Sequence, residues 1–397
     1  MKSKKIWLSL ARMTGHEQGF INEAFDTNWV VPLGPNVNGF EQDLELYLNE
    51  NVHVVALSSG TAAIHLGLLQ LGVGPGDEVI CQSFTFVASA NPIRYLGASP
   101  VFIDSEIETW NMSPDLLRIA IKDRIKLTGK KPKAIIPVHL YGMPARMDEI
   151  MAIANEYGIP VLEDAAEALG SEYKGRKCGT FGKFACLSFN GNKMITTSGG
   201  GALICHTEKE AETTLYYATQ ARDDTHYYQH SNIGYNYRMS NICAGIGRGQ
   251  MIEVEQFVSR RRAIHDFYMK ELSLIDGITV FDNPSSDFNS NHWLTCILID
   301  SEVTGFTNKD LFLKMKEENI ETRPLWKAMH MQPIFEDAPF YGDGTSSDLF
   351  RKGLCLPSGA SLSDWDLRRV VGVIKDLARY NTPIRSLSKI EKEIGGS

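Results

Sequence analysis

The sequence predicts an α/β fold with a mostly parallel central sheet, followed by a smaller α+β domain. Three observations carry this. Short, near-continuous apolar runs alternate with stretches of helical composition through the first 165 residues, the pattern of parallel strands buried on both faces. The rhythm then changes, and residues beyond about 263 mix helices with a few strands. The chain is 397 residues long with 43% apolar and 22% charged residues, ordinary globular usage and, at about 150 residues per domain, enough for two or three domains.

The elements follow in order. VHVVALS (52–58) is a β-branched strand, and GTAAIHLGLLQLG after it has helical composition. EVICQS (78–83) reads as a strand and VASANPIRYLG as a helix; SPVFID (99–104) as a strand and PDLLRIAIKDRIKL as a helix. KAIIPVHL (133–140) is a strand, RMDEIMAIANEYG a helix and PVLEDA (160–165) a strand again. ACLSFN (185–190) and GALICH (201–206) are two further strands, joined by GNKMITTSGG. A helix over 208–222 leads into a polar, aromatic stretch, and a long helical segment starts near Asn241 and runs past Arg262. The domain boundary is placed there, giving domains 1–262 and 263–397. WLTCILID (293–300) is a strand of the second domain, and the final KIEKEIGGS reads as a fraying tail.

Charge and cysteine usage narrow the class. Forty Lys plus Arg against 48 Asp plus Glu give a net charge of −8, which argues against a general nucleic-acid binder but allows a local basic pocket. The seven cysteines, at positions 81, 178, 186, 205, 243, 296 and 355, form no C-x-x-C pair. Reduced thiols in a cytoplasmic setting are expected, with neither a disulfide framework nor a metal site. The apolar part of MKSKKIWLSLARMTGHEQ is too short for a signal-peptide core. No stretch of about 18 apolar residues is present to span a membrane.

In open α/β sheets ligands gather beyond the carboxyl ends of the strands, and three motifs lie there. SSGTAAIHL places Ser58, Ser59, Gly60 and Thr61 between a strand and a helix start. That is either an ordinary cap or a phosphate cradle of free N–H groups. VLEDAAEALG ends a strand on Glu163 and Asp164, which cap a helix or partner a buried cation. LSFNGNKMITTSGGGAL sets Lys193 between two strands, either as a solvated loop lysine or as a desolvated amine able to form a Schiff base. LGVGPGDEV precedes a strand instead of following one, so it reads as a turn and not as a dinucleotide fingerprint. Together, an anion cradle, a strand-end acid and a lysine 29 positions after that acid are what a pyridoxal 5'-phosphate site requires.

These motifs, with SFTFVASANPI, PVHLYGMPARMDEI and GYNYRMSNICAGIG in the same order, resemble the DegT/DnrJ/EryC1/StrS sugar aminotransferases over residues 10–380. The resemblance implies the fold type I (aspartate aminotransferase-like) form of the α/β class, with pyridoxal 5'-phosphate as cofactor. It implies Lys193 as Schiff-base lysine and proton shuttle, and Asp164 as partner of the pyridine nitrogen. Gly60, Thr61 and Ser188 would hold the phosphate, and Phe86 would stack on the ring. Glu167 stands where relatives often carry Gln or His beside the phenolic oxygen, and a carboxylate there needs a proton or a water to meet an oxyanion. Asn236 is implied to reach the phosphate of a neighbouring subunit, which requires a homodimer with shared sites.

In the C-terminal segment ETRPLWKAMHMQP, the residues Arg323, Trp326, Lys327 and His330 suit a diphosphate, a uracil or a sugar; Arg238 is a further candidate contact, with a structural role as its alternative. The implied reaction moves the amino group of L-glutamate onto a nucleotide-linked keto-sugar. The expected acceptor carbon is C4 of a UDP-2-acetamido-2,6-dideoxy-4-hexulose, with a dTDP-linked 3- or 4-keto-6-deoxy sugar as alternative. Dehydratases of the family carry His in place of the lysine, so Lys193 argues against dehydration, and the complete Asp164–Lys193 set argues against a non-catalytic relative.

Overall fold

A computed structural model describes residues 4–381; the KIEKEIGGS tail lies outside them. The central sheet has eight strands in the order His53–Leu57, Gly201–Cys205, Phe184–Ser188, Leu162–Asp164, Ala134–Ile136, Glu78–Gln82, Ser99–Ile103 and Phe340–Tyr341. Its two halves meet through parallel bridges of Ile135 with Val161 and of Val138 with Asp164. All neighbours are parallel except Gly201–Cys205, which runs antiparallel to both of its own. The strand residues are nearly all buried, as continuous apolar runs require when helices cover both faces.

Local chemistry sets the helix starts that matter here. The Ser59 side chain accepts from the Ala62 N–H and opens Gly60–Gln70. Ser113 does the same for Pro114–Thr128, with Pro114 at the first helical position and Gly129 closing it left-handed. Thr207 and Glu210 form a reciprocal capping box at the start of Glu208–Ala218.

Several elements differ from the sequence expectation. The run 133–140 yields only Ala134–Ile136, because Pro137 has no N–H to continue a ladder. Its carbonyl instead accepts from the Asp164 N–H, and a turn over Leu140–Gly142 follows. The 87–97 helix is a single turn, Val87–Ser89, plus the short helix Asn91–Tyr95. The 208–222 helix stops at Ala218, ahead of Gln220 and Ala221 in left-handed conformations. The long helical segment is two helices, Asn241–Met251 and Val254–Leu272.

The C-terminal part builds an antiparallel sheet in the order Ile278–Val280, Thr295–Ile299, Gly353–Leu356 and Arg323–Pro324. The division drawn after residue 262 falls inside Val254–Leu272. Phe257 and Val258 of that helix pack into the core of the central sheet, whereas Ile264, Tyr268 and Leu272 pack into the C-terminal core. Two other segments cross between the parts. Ile6 enters the C-terminal core beside Ile320, and Phe340–Tyr341 joins the central sheet.

Candidate active site

The Gly60–Gln70 helix starts at the carboxyl end of His53–Leu57, so its first N–H groups and positive dipole end face the space above the sheet. This cradle lies flat on its neighbours because two glycines permit it. A Cβ on Gly201 would come within 2.3 Å of the Gly60 nitrogen, and one on Gly60 would meet Ser188 Cβ at 3.2 Å. Gly60, Thr61 and Ser188 line one cavity of about 380 Å³ together with Phe86, Asp164, Glu167 and Lys193.

Glu163 and Asp164 point to opposite faces of the sheet, as neighbours in a strand must. Asp164 faces the cavity. Its Oδ2 accepts from Ser89 Oγ at 2.5 Å, and its Oδ1 from the Ala166 N–H at 3.1 Å and Cys186 Sγ at 3.2 Å. Glu163 faces away and is fully buried. Its Oε1 accepts from the Phe181 and Gly182 N–H groups at 2.5 Å, and its Oε2 from the Gly179 N–H at 2.9 Å and His139 Nε2 at 3.0 Å. His139 Nδ1 accepts from the Ala145 N–H, so the ring proton sits on Nε2 and the imidazole is neutral. Glu163 is therefore neither a helix cap nor the partner of a cation.

Lys193 Nζ donates to Glu167 Oε1 at 3.0 Å and lies 4.3 Å from the centre of the Trp293 ring. Its loop is tied down by distant segments. The Asn192 carbonyl accepts from Ser9 Oγ and Trp293 Nε1, each at 2.7 Å, and the Lys193 carbonyl from Arg261 Nη2 at 3.2 Å. Arg261 also donates to the Trp293 and Ser358 carbonyls. It is 2% exposed, and burial pulls its guanidinium down to about 9.

Glu167 is 4% exposed, and its Oε2 accepts from the Tyr141 N–H at 2.8 Å. Burial pushes its carboxyl up, against the opposing pull of Lys193. Tyr141 holds a left-handed backbone (φ 56°), which directs its N–H at the carboxylate. The neighbouring Gly142 (φ 92°) leaves room for Asn291, whose Nδ2 donates to the Glu167 and Leu169 carbonyls. Tyr141, His139, Arg261, Asn291, Trp293 and Ser89 carry no role in the sequence reading, because each acts through tertiary contacts. His139, Tyr141 and Ser89 do lie in the motifs PVHLYGMPARMDEI and SFTFVASANPI, a signal that could have pointed to them.

A second compartment of about 510 Å³ adjoins the first and shares Phe86, Asn192, Trp293 and Trp326 with it. Arg323 and Lys327 line this outer groove. Phe86 is 56% exposed, with its ring 5.5 Å from that of Trp326.

Three expected contacts do not lie on either cavity wall. Asn236 is exposed, and its backbone pairs with Thr219. Arg238 pairs with Glu41 and donates to the Ala56 carbonyl at 3.1 Å, so its guanidinium braces the edge of the sheet. His330 meets Ser83 Oγ at 2.8 Å and Ser347 Oγ at 3.3 Å, and its ring stacks on Phe340 at 3.7 Å. Both of its nitrogens are thus engaged within the fold.

Among the described residues, one cluster has metal-capable side chains, His265, Asp282 and His292. The two imidazoles are stacked nearly parallel at 3.6 Å and 13°, so their in-plane lone pairs cannot converge on one ion. None of the three lines the cavity. Of the seven free cysteines, six are buried. No helix among the described residues is long and apolar enough to cross a membrane.

The residues present fit pyridoxal 5'-phosphate. A glycine-floored N–H cradle suits its phosphate, the strand-end carboxylate of Asp164 suits a protonated ring nitrogen, and a half-buried amine stands ready for its aldehyde. Comparison with known proteins agrees. The profile of the DegT/DnrJ/EryC1/StrS aminotransferase family matches residues 12–375. A Bacillus subtilis (strain 168) protein named as a pyridoxal phosphate-dependent aminotransferase, EpsN, is 50% identical over 94% of this chain and 96% of its own. A GDP-perosamine synthase of Escherichia coli O157:H7 is 38% identical over 89% of this chain and 93% of its own. The crystal structure of a DegT/DnrJ/EryC1/StrS aminotransferase from Brucella abortus superposes with a TM-score of 0.85 at 30% identity, covering 92% of this chain and 95% of that one. On sequence, fold and cavity chemistry alike, this chain belongs to the DegT/DnrJ/EryC1/StrS family and is a pyridoxal-phosphate-dependent sugar aminotransferase.

Proposed function

We propose that the enzyme moves the amino group of L-glutamate onto C4 of a UDP-linked 2-acetamido-2,6-dideoxy-4-hexulose, as a cytoplasmic homodimer supplying surface glycans. The supporting observation is the pair of joined compartments. The inner one holds Lys193 and Asp164, and the outer one presents Arg323 and Lys327. That layout suits a keto-sugar at the lysine with its diphosphate held further out by cations.

In this reading bound pyridoxal phosphate supplies the electron sink and carries the amino group between the two substrates. Gly60, Thr61 and Ser188 hold its phosphate, and Asp164 keeps its ring nitrogen protonated. Lys193 takes a proton from the donor's Cα and, in the second half, delivers one to C4 of the sugar. Trp326 offers a flat face beside the sugar or base. Asn236, on the surface, reaches the phosphate site of a second copy.

A second reading, with a GDP-linked 4-keto-sugar, draws on the relatives named GDP-perosamine synthase at 38% and 33% identity. The test is a panel of UDP-, GDP- and dTDP-linked 4-keto-6-deoxy sugars with L-glutamate, read by product mass and kcat/KM. The UDP N-acetylated substrate should lead by about tenfold or more, equivalent to roughly 1.4 kcal/mol of transition-state discrimination. A GDP-linked substrate in the lead selects the second reading. No amine transfer to any of them rejects both.

A further inference from the structure

We propose that Glu167 is the proton acceptor for Lys193, and that it stays protonated for as long as the lysine nitrogen is committed to the cofactor. An ammonium has no lone pair, so Lys193 must lose a proton before its nitrogen can attack a carbonyl. The hydrogen bond from Nζ to Glu167 Oε1, 3.0 Å long, is a direct exit. The N–H bond breaks, its electron pair stays on nitrogen, and an O–H bond forms on Oε1. Two ions become two neutral groups, and no further reactant is needed.

The surroundings favour that outcome. Glu167 is 4% exposed, and a buried carboxylate without a cation is costly. One oxygen is fixed on the Tyr141 N–H, which leaves the other as the side that exchanges with lysine. The charged and titratable groups facing it are Lys193, Asp164, Tyr141 and Cys296, the last a thiol that burial keeps neutral. Once Lys193 is engaged, no cation among these remains to hold Glu167 ionised, and the negative charge on Asp164 further favours the acid. A protonated Glu167 can also donate a hydrogen bond to an oxyanion, which an ionised one cannot. The inference rests on the cofactor and not on the choice of sugar.

Difference infrared spectroscopy of the full chain tests it. A protonated carboxyl shows a carbonyl stretch, sensitive to exchange into heavy water, that a carboxylate lacks. With cofactor bound, the unaltered enzyme should show this band, and Glu167→Gln should lose it. Lys193→Met, which removes the nitrogen while keeping bulk, should show the same band at neutral pH with no cofactor added. Absence of the acid band from either the loaded enzyme or Lys193→Met overturns the proposal. So does a band that survives Glu167→Gln, because it then belongs to another group.

Discussion

Glu163 and Asp164 are adjacent, buried and chemically alike, yet the two sides of the strand treat them differently. Glu163 receives four hydrogen bonds, three of them from the backbone turn over residues 179–182. Its lone pairs are filled, so it has nothing left to offer a ligand. Asp164 receives a serine, one backbone N–H and a weak thiol donor, and its side opens on a cavity. A buried carboxylate saturated by backbone donors holds the fold together. One left partly unsatisfied towards a cavity is kept for a ligand.

Changes on the open side should therefore damage turnover, and changes on the closed side should damage stability. The largest effect is expected from Lys193→Ala, which removes the amine of the open side. Amino transfer should fall by a factor on the order of 10⁴ or more, with the thermal midpoint little changed; measurable transfer at the original rate would break the assignment. Asp164→Asn comes next. Its amide cannot hold a ring nitrogen protonated, so kcat should drop by about 10²–10³ while some cofactor stays bound. A fully active variant would remove the difference between the two acids. Glu163→Gln sharpens the contrast from the other side. Its amide turns two hydrogens towards donors that need acceptors, and denaturant unfolding should show a loss of about 3 kcal/mol, with kcat of the remaining folded enzyme nearly unchanged.

Much of this was legible in the sequence because the information is local. All seven first-half strands carry continuous β-branched or apolar runs. The Ser-Ser-Gly-Thr cradle and Asp164 each sit at a strand end, and Lys193 lies in the loop that joins two strands, where the spacing of strands can be counted. What escaped is non-local. Arg238 and His330 look like free cations on paper, but Glu41 lies 197 residues from the first and Ser83 lies 247 residues from the second. Arg261 reads as one more charge on a helix, although it ties together the Ser9, Lys193, Trp293 and Ser358 segments. Pro137 was visible throughout, yet its effect on the 133–140 run depends on whether the next residues find another ladder partner.

The two-residue strand Phe340–Tyr341, which pairs with Ser99–Ile103, also has a consequence for synthesis. Until residues 340–341 leave the ribosome, the outer side of Ser99–Ile103 presents unpaired backbone groups, the hazard of any open sheet edge. About 240 residues separate the partners, and at roughly 5–20 residues per second that edge stays open for about 10–50 seconds. The nascent chain therefore carries this open edge through more than half of its own translation, and a segment made late is what closes it.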